Sequence, residues 1–224
     1  GIIKSLIDGI AFISNMDNVL MGEILQVSGL EDIKAIVINI EEEGIKAIIL
    51  KGEDKVKPGF KVVRTKELFE FPVTTQLLGR VVNAYGDPID SNDKFKYAYL
   101  KYKVEIKAPG IISRYKVNEP LQTGIKSVDG LIPIGRGQRE LIIGDKKTGK
   151  TAIAIDTILN QKNVDIICIY VAIGQKKSSI ARVARMLAEK GCMEYTVIVA
   201  AGASDSAALQ YLAPYAGCAI GEYF

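Results

Sequence analysis

The stretch from Gly144 to Thr151 constrains this chain more than any other feature of its sequence. It reads G-D-K-K-T-G-K-T and fits the pattern G-x-x-x-x-G-K-[ST] of a phosphate-binding loop. The two glycines allow the backbone to curl so that successive N–H groups point inward, and a helix that begins directly after the loop adds the positive end of its dipole. The stretch therefore predicts a site for the phosphate groups of a nucleotide.

The side chains at the end of this loop have distinct predicted tasks. Lys150 is expected to reach the β- and γ-phosphates, and the Thr151 hydroxyl is the expected Mg²⁺ ligand, with water and phosphate oxygens completing an octahedron. The alternative is a glycine-rich turn between a strand and a helix that carries two surface lysines. The residues predicted to contact the nucleotide are Asp145, Lys146, Lys147, Thr148, Gly149, Lys150, Thr151 and Ala152.

Strands and helices alternate in the sequence around the loop. The apolar run 140–143 is predicted to be a buried strand that feeds the loop, and residues 151–160 are predicted to be a helix. Ser178 is expected to cap a helix that Gly191 ends, because apolar residues there recur at i, i+3, i+4 and i+7. Further strands are predicted over 166–173 and 195–200, and Ser204 is expected to cap the next helix. This alternation predicts a parallel sheet covered by helices.

The first 70 residues have a different pattern. Short β-like runs over 9–13, 23–27, 34–38 and 44–50 are separated by glycine-containing turns, which predicts a small antiparallel barrel. A strand running into a turn is predicted over 79–88, and a polar, solvated connection over 90–107. The predicted fold class is thus α/β with an N-terminal β-barrel, divided into residues 1–70 and residues 71–224.

The composition excludes several classes of function. The chain has no His and three Cys, which rules out a zinc site built on His, a Ser/His/Asp triad and a disulfide framework. A net charge of +3, from 29 basic and 26 acidic residues, is too balanced to indicate a nucleic-acid partner. No apolar run is long enough for a membrane-spanning helix.

Several segments together carry a resemblance to a known family. They are Pro120 to Lys126, Ile132 to Asp145, Thr148 to Lys162, Ala172 to Lys176, and Leu209 to Tyr215. On these segments the chain resembles the α-type subunits of the F1 ATP synthases, most weakly over 91–103. The resemblance implies a β-barrel crown domain and a RecA-like nucleotide-binding domain that holds ATP or ADP with Mg²⁺. It also implies a ring of alternating α- and β-type subunits around a central γ stalk, with a peripheral stalk and no nucleic acid, attached to the membrane through the complex.

Two features favour the α-type over the catalytic β-type subunits. The loop resembles the α-type pattern GDRQTGKT, and Gln175 stands where the catalytic relatives carry a carboxylate. Because an amide is a poor proton acceptor, we expect a site that holds nucleotide without hydrolysing it, with no catalytic residue in this chain. Lys146 and Lys147 depart from the Arg and Gln of the family pattern, and Lys lacks the planar fork of Arg and the acceptor of an amide.

The resemblance also implies that the chain matches only part of such a subunit. The family's metal-orienting acid, the arginine that reaches a neighbouring site and the C-terminal helical domain all lie beyond the position of Phe224. No strand ends convincingly in Asp, and Asp205 is interpreted as the start of a helix. The RecA-like domain is therefore expected to be incomplete, with a C-terminal α segment, in the same or a separate chain, completing it. The expected location is the matrix side of the mitochondrial inner membrane or, alternatively, the cytoplasmic side of a bacterial plasma membrane.

Three other functions are weighed against this one. An RNA-translocating hexameric ATPase of the transcription-terminator type also joins a small barrel to a phosphate-binding loop. Residues 1–64 argue against it, because their eight Lys and Arg are outnumbered by ten Asp and Glu and their aromatic residues are Phe12 and Phe60. A catalytic β-type subunit is disfavoured by Gln175. A regulatory nucleotide-binding module without a rotary partner is the third alternative.

Overall fold

The computed structural model describes residues 1–91, 95, 100–104 and 108–224. A six-stranded antiparallel sheet occupies the N-terminal part, in the order β1-β2-β5-β4-β3-β6. The sheet confirms the antiparallel β-structure that the sequence predicts there. Its strands are β1 (Ile2–Ile7), β2 (Ile10–Ser14), β3 (Glu23–Val27), β4 (Lys34–Glu41), β5 (Gly44–Ile49) and β6 (Val62–Leu68).

Alternating burial explains why these segments form strands. In β3, Leu25 and Val27 are buried and their neighbours Ile24 and Gln26 are half-buried, as expected when successive side chains point to opposite faces. The turn between β1 and β2 is made by Asp8 and Gly9, whose φ angles of 49° and 78° suit a tight hairpin. The buried faces enclose one apolar cluster made of Ile3, Ala11, Ile13, Val19, Leu25, Val27, Ile33, Ala35, Val37, Ile45, Ala47, Ile49, Val56 and Val62.

The two end strands of this sheet meet at one corner. Ile2 and Lys61 form an isolated antiparallel bridge. The Ile3 N–H donates to the Phe60 carbonyl at 3.0 Å, and the Val62 N–H donates to the Gly1 carbonyl at 2.9 Å. These bonds give the sheet a strongly curved shape.

The C-terminal part contains a parallel sheet of three strands, in the order β12-β13-β8. Two small antiparallel pairs, β7 with β9 and β10 with β11, accompany it. The strands are β7 (Glu70–Val73), β8 (Val81–Val82), β9 (Leu100–Lys103), β10 (Pro120–Leu121), β11 (Ile134–Gly135), β12 (Cys168–Gln175) and β13 (Thr196–Gly202). The helices are α1 (Lys126–Leu131), α2 (Lys150–Asn160), α3 (Lys177–Glu189) and α4 (Ala207–Tyr223), and short 3-10 turns lie at Glu53–Lys55, Thr75–Leu77, Ile111–Ser113 and Met193–Tyr195.

Strand β13 is buried along its whole length because helices cover both of its faces. Ile198 and Ala200 share an apolar cluster with α2 and α3. Val197 and Val199, which point to the opposite face, share a cluster with α4. The parallel sheet is therefore a middle layer between two helical layers, as the alternating pattern predicts.

The cluster on the α4 side also connects the two parts of the chain. Ile36 and Ile48 of the six-stranded sheet belong to the same cluster as Phe71 and Leu212. The Tyr85 hydroxyl, in the turn after β8, donates to the Leu50 carbonyl at the end of β5. Apolar packing and this hydrogen bond together position the six-stranded sheet against the parallel one.

Some local predictions are wrong. Residues 140–143 form no strand. Helix α3 begins at Lys177 without a side-chain cap, so Ser178 does not cap it, and α4 is capped by Ser206 rather than Ser204. The cap at Ser206 fits because its side chain accepts from the Leu209 N–H at 3.4 Å.

The connection predicted over 90–107 is only partly described. Residues 92–94, 96–99 and 105–107 lie outside the described part, and the prediction stays untested there. Within it, β9 pairs with β7 in place of the solvated loop that the polar composition indicates. Tyr102 explains the pairing, because its ring packs edge-to-face on Tyr223 of α4 at 5.9 Å.

Across the part of the chain that the structure describes, no helix has both the length and the apolar character needed to cross a membrane.

Candidate functional site

The predicted phosphate loop is a tight irregular turn that leads directly into α2. Gly149 precedes the helix with φ 97°, a conformation that a residue with a β-carbon adopts only under strain. Lys147 also has a positive φ of 66°. The backbone conformation thus requires a glycine before Lys150, which supports the interpretation of the motif as a phosphate-binding loop.

Hydrogen bonds inside the loop hold its curvature. The Thr148 hydroxyl donates to the Asp145 carbonyl at 2.8 Å. A β-carbon on Gly144 would lie 2.9 Å from that hydroxyl, so a larger residue would open the turn. The Lys150 ammonium donates to the carbonyls of both Gly144 and Asp145. The cation therefore lies on the concave side of the loop.

These residues fit a phosphate group. The first N–H groups of α2, at Lys150, Thr151 and Ala152, belong to the helix end that has no acceptors within the helix. They lie at the positive end of the helix dipole. Residues 144–149 are all exposed, so a ligand can reach them.

Magnesium has a narrower set of ligands here. The Thr151 hydroxyl is on the exposed first turn of α2 and can supply one oxygen. Among the described residues, no group of three His, Cys, Asp or Glu side chains is placed to hold a metal. An ion at this site would take its remaining ligands from water and phosphate oxygens, which suits Mg²⁺.

The segment that leads into the loop is unusually exposed. Within residues 108–149, only Thr123 is buried. The side chains of Leu141 and Ile143 are 82% and 84% exposed, although the apolar run predicts burial. The prediction of a buried strand fails because no described strand pairs with this run.

Gln175 lies at the carboxyl end of β12, on a different element from the loop. Its side-chain amide donates to the Tyr170 hydroxyl at 3.3 Å. A kink in the register with β13 occurs between Ile173 and Gln175, next to Gly174 with φ 63°. The end of β12 therefore presents a neutral amide that is hydrogen-bonded within its own strand.

Asp205 is engaged in local structure. Its carboxylate accepts from the Gly202 N–H at 2.7 Å and pairs with Lys177 at 3.2 Å. Helix α4 starts two residues later. The structure agrees with the interpretation of Asp205 as part of a helix start.

Sequence reasoning missed a group of polar residues that hold the segment before the loop. The Asp129 carboxylate accepts from the Thr123 hydroxyl at 2.6 Å and from the N–H groups of Thr123 and Gly124, both at 2.9 Å. The bonds from Thr123, followed by the bond from Gly124, lower the pKa of Asp129. Two of the three donors to Asp129 are backbone N–H groups, so no pattern of residue types marks this contact in the sequence.

The end of α2 meets the same segment. Gln161 and Asn160 both donate side-chain N–H groups to the Gln122 carbonyl at 2.8 Å. Gln161 is buried and Asn160 is exposed. Nothing in the sequence indicates this contact, because its acceptor is a backbone group far away in the chain.

Comparisons with known proteins agree with this geometry. Residues 124–224 match the model of the ATP synthase alpha/beta family, nucleotide-binding domain. The whole chain is 51% identical, over 224 residues, to a protein of Methylobacillus flagellatus named ATP synthase subunit alpha. The chain covers 43% of the length of that relative. The two matches confirm the resemblance carried by the motifs: the chain is similar to an ATP synthase alpha subunit over its whole length, and residues 124–224 match the nucleotide-binding domain of the ATP synthase alpha/beta family.

Proposed function

We propose that this chain is a non-catalytic, nucleotide-binding part of the F1 sector of a proton-translocating ATP synthase. The observation that carries the proposal is the loop from Gly144 to Thr151, whose lysine ammonium bonds to the loop carbonyls and which leads directly into the N-terminus of α2. The ligand is ATP or ADP with Mg²⁺. The contacting residues are the stretch from Asp145 to Ala152.

Each loop residue has a physical role in this proposal. The Lys150 ammonium exchanges its two carbonyl acceptors for phosphate oxygens, which bind a cation more strongly because they are charged. The N–H groups at the start of α2 donate to the same phosphates. Thr151 supplies one oxygen to Mg²⁺, which neutralises part of the phosphate charge. Lys146 and Lys147, both exposed, add positive charge at the rim.

The neutral side chain at the end of β12 supports the non-catalytic role. Hydrolysis of the γ-phosphate requires a group that orients and accepts a proton from the attacking water. Gln175 offers an amide whose N–H₂ is bonded to Tyr170. Bound nucleotide would then stabilise the folded chain by mass action rather than turn over.

The proposed assembly follows from the family. We propose that residues 1–70 form a crown domain and residues 71–224 part of a RecA-like domain, in a ring with β subunits around the γ stalk, with a peripheral stalk and no nucleic acid. The corner bridge between Ile2 and Lys61 supports closure of the N-terminal sheet into a barrel. The bacterial source of the relative supports the cytoplasmic side of a bacterial plasma membrane over the mitochondrial inner membrane.

The exposed apolar surface near the loop supports a further polypeptide segment in the complete protein. Strand β12 has the continuous apolar run typical of a strand covered on both sides, yet it is the end strand of its sheet in the described part. Leu141 and Ile143 are exposed beside the loop. We propose that a C-terminal α segment, in the same or a separate chain, covers these surfaces.

Equilibrium binding of Mg-ATP to the chain, measured by titration calorimetry, tests the ligand assignment. We expect Lys150→Ala to weaken binding by about ten- to a hundredfold, the effect of losing hydrogen bonds to charged groups. The control is Lys57→Ala, which removes an exposed lysine from the six-stranded part. Equal affinity of the two variants for Mg-ATP would contradict the proposed site.

A further inference from the structure

One backbone carbonyl receives two side-chain amides at the end of the loop helix. The Gln161 Nε2 donates to the Gln122 carbonyl at 2.8 Å and to the Thr157 carbonyl at 3.0 Å. The Asn160 Nδ2 donates to the same Gln122 carbonyl at 2.8 Å. The Gln161 side chain is 2% exposed, so its amide has little access to water as an alternative partner.

The segment that provides this carbonyl is held from its other side as well. Thr123 and Gly124 donate to Asp129, as described above. A β-carbon on Gly124 would lie 2.8 Å from the Asn160 side chain, and Gly124 has φ 79°. The short segment from Gln122 to Gly124 therefore contacts both α1 and the end of α2.

This contact closes a loop of chain that contains the whole phosphate site. Gln122 precedes the phosphate loop and Gln161 follows it, 39 residues further on. Between them, residues 124–149 have no buried side chain, so apolar packing gives this part of the chain little support. Helix α2 is a rigid rod whose far end is packed through Ile155 and Ile158. The side-chain amides of Asn160 and Gln161 hold the segment around Gln122 against this end of the helix.

We propose that Gln161 is a positioning residue for nucleotide binding, acting through the Gln122 carbonyl and assisted by Asn160. By bonding to the Gln122 carbonyl, it fixes to the end of α2 one end of the weakly packed segment that leads to the phosphate loop. Lys150 and Thr151 then face the same phosphates without further rearrangement. This inference rests on the proposed nucleotide-binding function.

The test compares Gln161→Leu and Gln161→Glu with Gln26→Leu in the full chain. Gln26 is a matched control, because its amide also donates to backbone carbonyls, those of Leu30 and Ile33, but lies in the six-stranded sheet. We expect the Gln161 variants to bind Mg-ATP about five- to tenfold more weakly, as for a lost hydrogen bond, and Gln26→Leu to bind as the parent does.

Two further measurements separate positioning from simple stability. Competition by tripolyphosphate should weaken by the same factor as Mg-ATP binding in the Gln161 variants, because the affected contacts are to phosphate. Thermal unfolding gives the temperature range in which every variant is folded, and affinities are compared there. Should the Gln161 variants fail to fold, Asn160→Ala, an exposed position, replaces them with an expected loss of about two- to fivefold.

The outcomes distinguish this inference from the function on which it rests. Parent-like affinity for both Mg-ATP and tripolyphosphate in the Gln161 variants, or in Asn160→Ala where that variant replaces them, overturns the positioning role. If Lys150→Ala still binds Mg-ATP more weakly than the parent in that case, the proposed nucleotide site remains supported. A parent chain that binds neither ligand would overturn both proposals.

Discussion

Glu23 is a fully buried carboxylate at the start of β3 and is held by several donors. The guanidinium of Arg64 donates to it twice at 2.8 Å, and the N–H groups of Leu20 and Lys66 donate at 3.0 and 3.2 Å. The Arg64 hydrogen bonds are the largest influence on the pKa of Glu23, which lies below its ordinary value of 4.5 even though burial opposes the shift. The ion pair fixes β6 against β3 in the first part of the chain.

This lowered pKa gives the chain a specific response to acid. Glu23 binds a proton more readily in the unfolded chain than in the folded chain. Its contribution to stability is therefore complete above about pH 4.5 and is lost as the pH falls through the lower pKa of the folded state. Glu23→Gln should lower the free energy of unfolding at neutral pH and flatten its decline in that acidic window. Denaturant unfolding across this pH range measures both effects.

Glu41→Gln is the control for this prediction. Glu41 pairs with Lys46 on the surface, where both side chains are well exposed and an ion pair contributes little. A Glu41 variant that loses as much acid sensitivity as the Glu23 variant would contradict the assignment.

At the residue scale, the sequence identifies the groups whose chemistry depends on a local pattern. Gly149 and Lys150 are predictable because a phosphate loop requires a left-handed turn and a cation at fixed spacing. Gln161 and Asp129 were missed because their partners are backbone groups that the fold brings together. An amide that donates to a distant carbonyl leaves no trace in the spacing of residue types.

Among the elements, α4 carries much of the packing on one face of the parallel sheet. Its buried side chains include Leu212 and Ile220, which share a cluster with Val197 and Val199 of β13. Leu212→Ala should therefore lower the free energy of unfolding by about 2 to 5 kcal/mol, the usual cost of an apolar cavity. Glu222→Ala, on the exposed side of α4, should change it by less than about 0.5 kcal/mol. Denaturant melts that rank the two variants the other way would contradict this packing.

Helix α3 and residues 140–143 show where element prediction succeeds and where it fails. The repeat at Ile180, Val183 and Leu187 predicts one buried helical face, and these three side chains are buried. The run at 140–143 has the apolar character of a buried strand. An apolar run forms a strand only where another strand pairs with it, and the run itself does not show whether such a strand is present. The predictions of the capping residues also failed. Serines are common near helix starts, and only the backbone geometry decides which serine accepts an N–H group of the helix.

For the whole molecule, the uneven burial of the chain is the main feature. The six-stranded sheet and the parallel sheet share one apolar cluster, while residues 108–149 carry exposed apolar side chains such as Ile112, Leu141 and Ile143. Exposed apolar surface of this extent is typical of a site that another polypeptide segment covers, as proposed above. The mixed α/β class and the antiparallel N-terminal sheet were predictable from alternating patterns, whereas the exposure of residues 108–149 depends on contacts that these patterns do not specify.

Substitution of the exposed apolar residues Leu141 and Ile143 should weaken association with the proposed C-terminal segment without affecting the fold of the chain. The double variant Leu141→Gln with Ile143→Gln should keep the parent's free energy of unfolding within about 0.5 kcal/mol, because both side chains are exposed. Mixed with a polypeptide that corresponds to the rest of the Methylobacillus relative, it should co-elute less than the parent in size-exclusion chromatography. Equal co-elution of the variant and the parent would contradict the proposal that this segment binds the surface formed by Leu141 and Ile143.

In the proposed function, the loop binds Mg-ATP and leaves it intact. The direct measurement is to incubate the chain with Mg-ATP, isolate the protein with its bound nucleotide by rapid filtration, and identify that nucleotide by chromatography. We expect the parent and Gln175→Ala to retain nucleotide as ATP, and Lys150→Ala to retain far less. Recovery of ADP and phosphate formed by the parent chain, or equal retention by Lys150→Ala, would contradict it.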